Sequence, residues 1–414
     1  MEDEKRMENF KSRINEILKY LIENVIPELP KKIRIMVESE LEKMRELIME
    51  ARAPRFAIVG RCKSGKSSLI NAIYGNEVAK VGSVKSMTGL GKWYEYEDKK
   101  GKISILDTRG LGEGSTPKEK FKKESVKEEI YSSIDKKCPD VLLFLCKAKA
   151  VDSRIDEDIE NFYEIKSYIQ KKHNYNPPIV GIITQVDELD PVDVVNPPYE
   201  DSEKQKNITT AKKALEKKLN AKFEDVVEVI PTSAYLRFSN KEIVYDRRWN
   251  IDTLIEYLIE RVPISAQIEL ARITKVKSVQ KKIANVLIGS AAAITGGVGV
   301  QPIPVADLPI ITSIQIGMII GIGYISGRTM NKRSAAEFMS SMGLNVGVAF
   351  MFRELARALV RLIPIAGGFV SGAVAAASTW SIGKAAIVYF IDKKSPEEAK
   401  KIFESEKEKR QKNN

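Results

Sequence analysis

FAIVGRCKSGKSSLINAIYG, residues 56–75, runs from an apolar β-rich segment through a glycine-containing loop into a helical pattern. Its middle, GRCKSGKS (60–67), fits G-x-x-x-x-G-K-[ST] in the strand–loop–helix setting that a phosphate-binding loop requires. The glycines let the backbone wrap so that successive N–H groups point at phosphate oxygens beside a helix N-terminus. Lys66 is placed to reach the β- and γ-phosphates, and the Ser67 hydroxyl to ligate Mg²⁺. Gly60, Arg61, Cys62, Lys63, Ser64, Gly65, Lys66, Ser67 and Ser68 are therefore the expected nucleotide-binding segment.

Outward from this loop, short apolar runs alternate with charged helical stretches. The runs are FAIVG (56–60), KISIL (102–106), VLLFLC (141–146), IVGIIT (179–184) and VVEVI (226–230). KWYEYED (92–98) alternates instead and reads as a hairpin with KISIL through DKKG. Buried β-rich runs separated by helices predict an α/β fold, a mostly parallel sheet with helices on both faces. KISIL runs into DTRG, where Asp107 at a strand end can hold Mg²⁺ through water and the Gly110 N–H can meet the γ-phosphate. Upstream, KVGSVKSMTG offers Thr88 as the residue that closes over the metal, with Ser83 and Ser86 as alternatives. Ser67, Thr88 and Asp107 form the expected Mg²⁺ set.

The loop says nucleotide without saying which base. TQVD (184–187) resembles the [NT]-K-x-D guanine motif of GTPases, with Thr184 and Asp187 in register and Gln185 where lysine is usual. An aspartate there accepts two hydrogen bonds from guanine N1 and N2, a pattern that adenine does not supply. PTSA (231–234) follows the next strand, where GTPases carry their S-A loop; Ser233 and Ala234 are the matching residues, with a backbone N–H near Ala234 for guanine O6.

With these motifs in order, residues 55–262 resemble a P-loop GTPase domain of the Era-like group, with likeness also to dynamin-type and immunity-related GTPases. The resemblance implies GTP and GDP as ligands, Mg²⁺ as cofactor and hydrolysis to GDP and phosphate. Leu111 stands where Ras-like enzymes carry the glutamine that positions water, so hydrolysis is expected to be slow without assembly or a partner. Lys63 lies where Era-like relatives often have an asparagine that helps hold potassium, and guanylate-binding proteins an arginine. Its ammonium is then either a catalytic substitute for that ion, beside Lys66 and Thr88 in the catalytic set, or a solvated lysine at the loop rim.

The flanks differ in character. Residues 1–54 read as a helical hairpin: Phe10, Ile14, Ile17, Leu21 and Val25, then Pro27 and Pro30, then Ile33, Val37, Leu41, Met44 and Ile48. Residues 263–414 contain the uncharged stretches 283–306, 308–327 and 362–383 and end in a mixed-charge helical tail expected to be solvated. Residues 283–392 resemble a domain of unknown function that follows Era-like GTPase domains in bacteria, a hydrophobic helical family regarded as membrane-associated. Residues 286–303 and 308–325 are each long enough to cross, or nearly cross, a bilayer core as a helical hairpin. Lys281, Lys282, Arg328, Lys332 and Arg333 at its open end favour the cytosolic side. The third stretch is the weaker span, interrupted by Pro364 and carrying Lys384 at its edge. The competing reading is a buried bundle packed on the N-terminal helices, an all-α module whose glycines serve tight crossings.

Composition narrows the remaining choices. A chain of 414 residues holds two or three domains, and 43% hydrophobic with 30% charged residues is globular. The net charge of +11 suits a nucleotide, a nucleic acid or an anionic membrane, and equally a lysine-rich surface. Three cysteines and one histidine, His173, make neither a disulfide framework nor a histidine metal site, and fit a reducing cytoplasmic compartment. The leading expectation is a GTPase coupled to a membrane-associated helical domain, with membrane lipids as partners. A dynamin-type GTPase that dimerises or oligomerises across its nucleotide faces is the alternative. An RNA- or ribosome-binding GTPase is disfavoured, because no aromatic-basic RNA module or KH-type loop is evident.

Overall fold

The computed structural model describes residues 15, 18–61, 63–79, 91–98, 101–108, 123–152, 155–225, 227–240, 242–299, 307–328, 338 and 372–412. The chain divides into two compact units, Ala53–Pro263 and the union of Met1–Arg52 with Ile264–Asn414. The N- and C-terminal flanks, separate in the sequence, thus belong to one unit.

In the Ala53–Pro263 unit the strands are β1 (Arg55–Val59), β2 (Lys92–Asp98), β3 (Gly101–Asp107), β4 (Val141–Lys147), β5 (Ile179–Thr184) and β6 (Glu228–Pro231). They form one sheet in the order β2-β3-β1-β4-β5-β6. Only β2 is antiparallel, paired with β3 as the expected hairpin, with Trp93 opposite Leu106. β4 and β5 are buried along almost their whole length, which is why they read as unbroken apolar runs rather than alternating ones. The helices are α2 (Lys66–Tyr74), α3 (Lys123–Lys136), α4 (Asp156–His173), α5 (Ser202–Asn220) and α6 (Ile251–Ile259), following α1 (Lys31–Ile48) of the other unit. Ile130 and Ile134 of α3, Phe162 and Ile165 of α4, and Leu215 and Leu219 of α5 build the larger core against one sheet face. On the other face Leu69 and Ile73 of α2 and Leu258 of α6 meet Phe56, Ile58, Ile103 and Leu143.

A two-stranded ribbon, β7 (Ser233–Ser239) and β8 (Glu242–Trp249), leaves the end of β6. The sequence reading placed only a loop at Ser233–Ala234. The alternation in YLRFS and EIVYDRRW, with Asn240 at a positive φ of 50° between them, was the available signal.

The helical unit contains α1, α7 (Ile264–Thr274), α8 (Lys277–Val298), α9 (Asp307–Ile325), α10 (Gly372–Ala386) and α11 (Pro396–Lys412). The described end of the expected first N-terminal helix is helical: residues 18–20 run into a wider helical turn at 21–25 and a tighter one at 26–28, before Pro30 opens α1. α8 is central and packs on α1, α9 and α10. Crossings are close: a Cβ on Gly321 would lie 2.5 Å from Leu287 Cδ2, and one on Gly383 2.5 Å from Ile288 Cγ1. Several polar groups inside are paired, although Thr312 Oγ1 and Gln315 Oε1 have no partner among the described residues. Thr295 and Thr379 hydroxyls lie 2.9 Å apart, Gln315 Nε2 donates to Thr379 Oγ1 at 2.9 Å, and Ser290 Oγ donates to Glu40 Oε2 at 2.6 Å.

Two expectations about this unit gain detail. Among the described residues the one helical run long and apolar enough to cross a membrane is Gly372–Ile391, which overlaps the stretch 362–383 read as the weaker span, and most of it is buried. α8 begins at Lys277, so its first two turns carry Lys277, Lys281 and Lys282, and the Lys384 ammonium is met by Asn285 Oδ1 at 2.7 Å rather than left bare. The tail expected to be a solvated helix is α11, exposed over most of its length; it buries Ala399 and Phe403 and accepts a hydrogen bond from Trp380 Nε1 on Glu406 Oε2. Pro364, Lys332, Arg333 and the glycines at 343, 347 and 368 lie outside the described residues.

Candidate functional site

The parallel strands end at one edge of the sheet, and the loops there gather the motifs. Register sets the depth of each: Ile58 is level with Asp107, Val59 with Phe144, Lys147 with Thr184, and Ile183 with Pro231.

After β1 the backbone turns at Gly60, where a Cβ would come within 2.7 Å of Leu145 O, so a side chain is excluded. Lys63 and Gly65 both adopt positive φ, 63° and 86°, and Gly65 opens α2, leaving the helix N-terminus pointing into the loop. Lys66 Nζ donates to Gly60 O at 3.0 Å and lies 3.1 Å from Asp107 Oδ1 at the end of β3. Lys66 and Asp107 side chains are 10% and 7% exposed, so this charge pair is shielded from solvent. Thr108 Oγ1 donates to Ile58 O at 3.0 Å and fixes the chain leaving β3. Ser67 and Ser68 follow Lys66 in the first turn of α2, half-buried. Arg61 is aimed sideways, its Nε 2.6 Å from Asp158 Oδ2 at the start of α4. Burial pushes the Asp158 carboxyl up, the Arg61 guanidinium only partly opposing it.

The TQVD segment is tied directly to this loop. Thr184 Oγ1 donates to Ser64 O at 2.8 Å, and Gln185 Nε2 donates to Lys63 O at 3.2 Å. Gln185 therefore grips the phosphate loop's backbone while sitting at a positive φ of 59°. Val186 N donates to Thr232 O at 3.3 Å and Thr232 N to Ile183 O at 2.7 Å, bringing TQVD against TSA. Ser233 is fully buried and Ala234 nearly so at the start of β7, and Asp187 is half-buried in a tight turn spanning Val186–Glu188. Ser64 Oγ and Gln185 Oε1 are buried with no hydrogen-bond partner among the described residues, which marks this edge as a place where polar atoms await a ligand.

A hard divalent cation fits the donor set. Ser67 and Asp107 supply hydroxyl and carboxylate oxygen, and among the described residues no group of three His, Cys, Asp or Glu exists to cage a metal alone. A hydroxyl and a carboxylate oxygen suit Mg²⁺, which takes one or two protein oxygens beside phosphates and water. Cys62, Thr88 with its alternatives Ser83 and Ser86, Gly110 and Leu111 lie outside the described residues. Sequence reasoning missed the Thr184–Ser64 and Gln185–Lys63 links, because side chain to backbone bonds across more than a hundred residues leave no local pattern. It also missed Lys204, whose ammonium holds the Asp187 carbonyl at 2.8 Å; in EKQKNITTAKK it is one lysine among several.

Residues 55–185 match the family model described as 50S ribosome-binding GTPase, and residues 266–413 match a domain of unknown function, DUF697. GTPase Der of Clostridium perfringens is 30% identical over 154 residues, 37% of this chain and 32% of Der. The chain thus spans about a third of that relative's length. The probable GTP-binding protein EngB of Aquifex aeolicus is 27% identical over 135 residues, 33% of this chain and 67% of EngB. Among solved structures, Toc33 of Arabidopsis thaliana in complex with GDP and Mg²⁺ is similar at 19% identity with a TM-score of 0.34, over 61% of this chain and 94% of Toc33. Motif order, sheet order and family match agree: the Ala53–Pro263 unit has the P-loop GTPase fold, and an all-α unit accompanies it.

Proposed function

We propose that the chain binds GTP and hydrolyses it to GDP and phosphate at the edge of the sheet formed by the ends of β1, β3 and β5, and that nucleotide state is coupled to the helical unit. The observation that carries this reading is the Thr184 Oγ1 to Ser64 O bond of 2.8 Å, which locks base motif and phosphate loop into one site. Lys66 would neutralise charge growing between the β- and γ-phosphates, and the amides at the start of α2 would hold the phosphate oxygens without reorganising. Ser67, Asp107 and Thr88 would hold Mg²⁺, which supplies Lewis-acid neutralisation of the phosphate oxygens when bound. Gly60 to Ser68, Gly110, Thr184, Gln185, Ser233 and Ala234 would surround the nucleotide, with Asp187 reading guanine.

Exchange of base preference tests this. An Asp187→Asn variant is expected to lose GTP affinity and gain xanthosine triphosphate, whose ring carries an acceptor where guanine carries the 2-amino donor. Equal affinity of the wild-type protein for GTP and ATP would sink the reading.

Lys63 is proposed as a second cation at the reacting phosphates. Its side chain is exposed at the loop, and its carbonyl is pinned by Gln185, so the ammonium is free to swing while its backbone is not. A Lys63→Ala variant is expected to turn over about tenfold slower without potassium and to be partly restored by adding it. Unchanged turnover would leave Lys63 a rim lysine.

For the helical unit, a place at the cytoplasmic membrane surface is supported by Tyr20, Ile22, Ile35 and Met36, which are 46%, 53%, 57% and 42% exposed. The same N-terminal stretch carries Lys19, Lys31, Lys32 and Arg34, a combination suited to anionic lipid. Flotation with anionic vesicles should be weakened by Ile35→Asp with Met36→Asp. Assembly across the nucleotide faces is proposed as the source of faster turnover, read as specific activity that rises with protein concentration.

A further inference from the structure

The segment between the base motif and α5 carries the aspartate on which base choice depends, yet little backbone pairing shapes it. After the tight turn at Val186–Glu188, its carbonyls converge on one cation. Lys204 Nζ donates to Asp187 O at 2.8 Å, Leu189 O at 2.6 Å and Pro191 O at 3.2 Å. Those three bonds use the full donor capacity of an ammonium. The residue is 0% exposed. Its position is fixed from behind, since its own N–H donates to Asp201 Oδ1, the cap of α5, at 2.8 Å. The same helix turn holds the segment twice more, through Gln205 Nε2 to Tyr199 O at 2.9 Å and Asn207 Nδ2 to Asp190 O at 3.0 Å. The Tyr199 ring lies 5.3 Å from the ammonium and packs on Trp249, their centroids also 5.3 Å apart.

Two general terms oppose a lysine here. Full burial desolvates the charge and pulls its pKa below the ordinary lysine value. The first turn of a helix is the positive end of its dipole. An apolar residue of the same length would fill the space without either penalty. What an apolar residue lacks is donors for three buried carbonyls. Asp187, Asp190 and Asp193 add attraction, and Lys149 opposes it.

We infer that Lys204 is the positioning residue of base recognition: an internal cation that orders the Asp187–Pro191 backbone so that the Asp187 carboxylate meets the guanine edge. The inference rests on the reading of Asp187 as the guanine acceptor. It also accounts for how the motif keeps its shape while Gln185, in place of lysine, is committed to the phosphate loop.

Comparison of GDP with inosine diphosphate, which lacks the 2-amino group that one carboxylate oxygen would accept from, tests it on the full chain. The wild type should prefer GDP by roughly tenfold or more, the effect expected of one charge-assisted hydrogen bond. In Lys204→Met the GDP-to-IDP affinity ratio should fall to near one, because a displaced carboxylate no longer counts the missing donor. A folded Lys204→Met protein that keeps the wild-type ratio overturns the inference, and so does an equal loss of affinity for both nucleotides, which is what general destabilisation would give. Should Lys204→Met fail to fold, Asn207→Ala decides: it removes one exposed clamp on the same segment and should lower the ratio about threefold, and an unchanged ratio overturns the inference. A wild-type protein without preference for GDP overturns the base reading itself, together with the inference built on it, and is recognised before any variant is measured.

Discussion

The two units place their buried polar groups differently. In the α/β unit they stand at the end of the sheet with capacity to spare: Ser64 Oγ and Gln185 Oε1 have no partner among the described residues, and Lys66 shares itself between Gly60 O and Asp107. In the helical unit they lie inside the bundle, where most close on each other, as Thr295 and Thr379 do, Gln315 Nε2 with Thr379, or Lys384 with Asn285, while Thr312 Oγ1 and Gln315 Oε1 stay without a partner among the described residues. Spare capacity at a surface edge is what a ligand uses. Closed pairs inside a bundle fix which helices meet and in what register, as buried polar groups do where they specify packing.

The sharpest way to break this contrast is to remove the shared cation. Lys66→Ala should lower GTP turnover by about 10³-fold or more, the cost of losing one strong charge-stabilising group at a reacting phosphate. It should also cost about 3 kcal/mol of stability, because the shielded Asp107 carboxylate loses the Lys66 charge beside it. Single-turnover hydrolysis alongside thermal unfolding reads both. A large loss of stability without loss of turnover would mean that the pair is structural, like those in the bundle.

The same contrast explains what the sequence could disclose. The phosphate loop works through consecutive residues, so GRCKSGKS was readable at once, and TQVD and DTRG stood at the ends of apolar runs. The mostly parallel sheet followed because each buried run is short and β-rich. The ribbon β7–β8 was not read, since its strands are half-exposed and carry Arg237, Arg247 and Arg248 among their apolar residues. Lys204 and Gln185 act on backbone atoms that only the fold brings near. In the helical unit, apolar length suggested two spans, but partnership decides burial there: Glu40 meets Ser290 across 250 positions, and nothing in either local stretch points to the other.

Thr379→Val probes the opposite half of the contrast. It keeps shape but strips the hydroxyl that receives Gln315 Nε2 and faces Thr295 Oγ1. Stability of the helical unit should fall by about 2 kcal/mol, the cost of leaving buried amide and hydroxyl groups unmade. Replacing the set together, Thr295→Val, Thr379→Val and Gln315→Leu, should recover much of that loss, because removing both sides of a buried bond costs less than removing one. Denaturant unfolding distinguishes these outcomes, and GTP turnover measured in parallel should stay within twofold for the single variant. A larger change in turnover would show that the bundle's polar register reaches the nucleotide site, which is the coupling proposed above.

The smallest effect concerns Cys146, where the α/β unit contains a closed interior group of its own. The thiol is on β4, one residue before Lys147, and the backbone carbonyl of Cys146 lies 3.4 Å from Thr184 Oγ1, the residue that joins base motif to phosphate loop. Burial, aided by the negative charge of Asp158, pushes the thiol up to about 12. An unfolded cysteine loses its proton near pH 8.5, so the folded state is favoured by full protonation below that value. As pH rises from about 8.5 toward 12 the unfolded chain gains a thiolate that the folded chain refuses, and stability is lost through that window. At pH 9.5 the difference is about 1.4 kcal/mol, one pKa unit. Cys146→Val should therefore lose less stability than the wild type between pH 8 and 9.5, read as the change in urea midpoint across that range. If the two proteins fell in parallel, the thiol would be ionising in the folded state, and the ground behind Thr184 would be wetter and more open than the bundle's interior rather than alike.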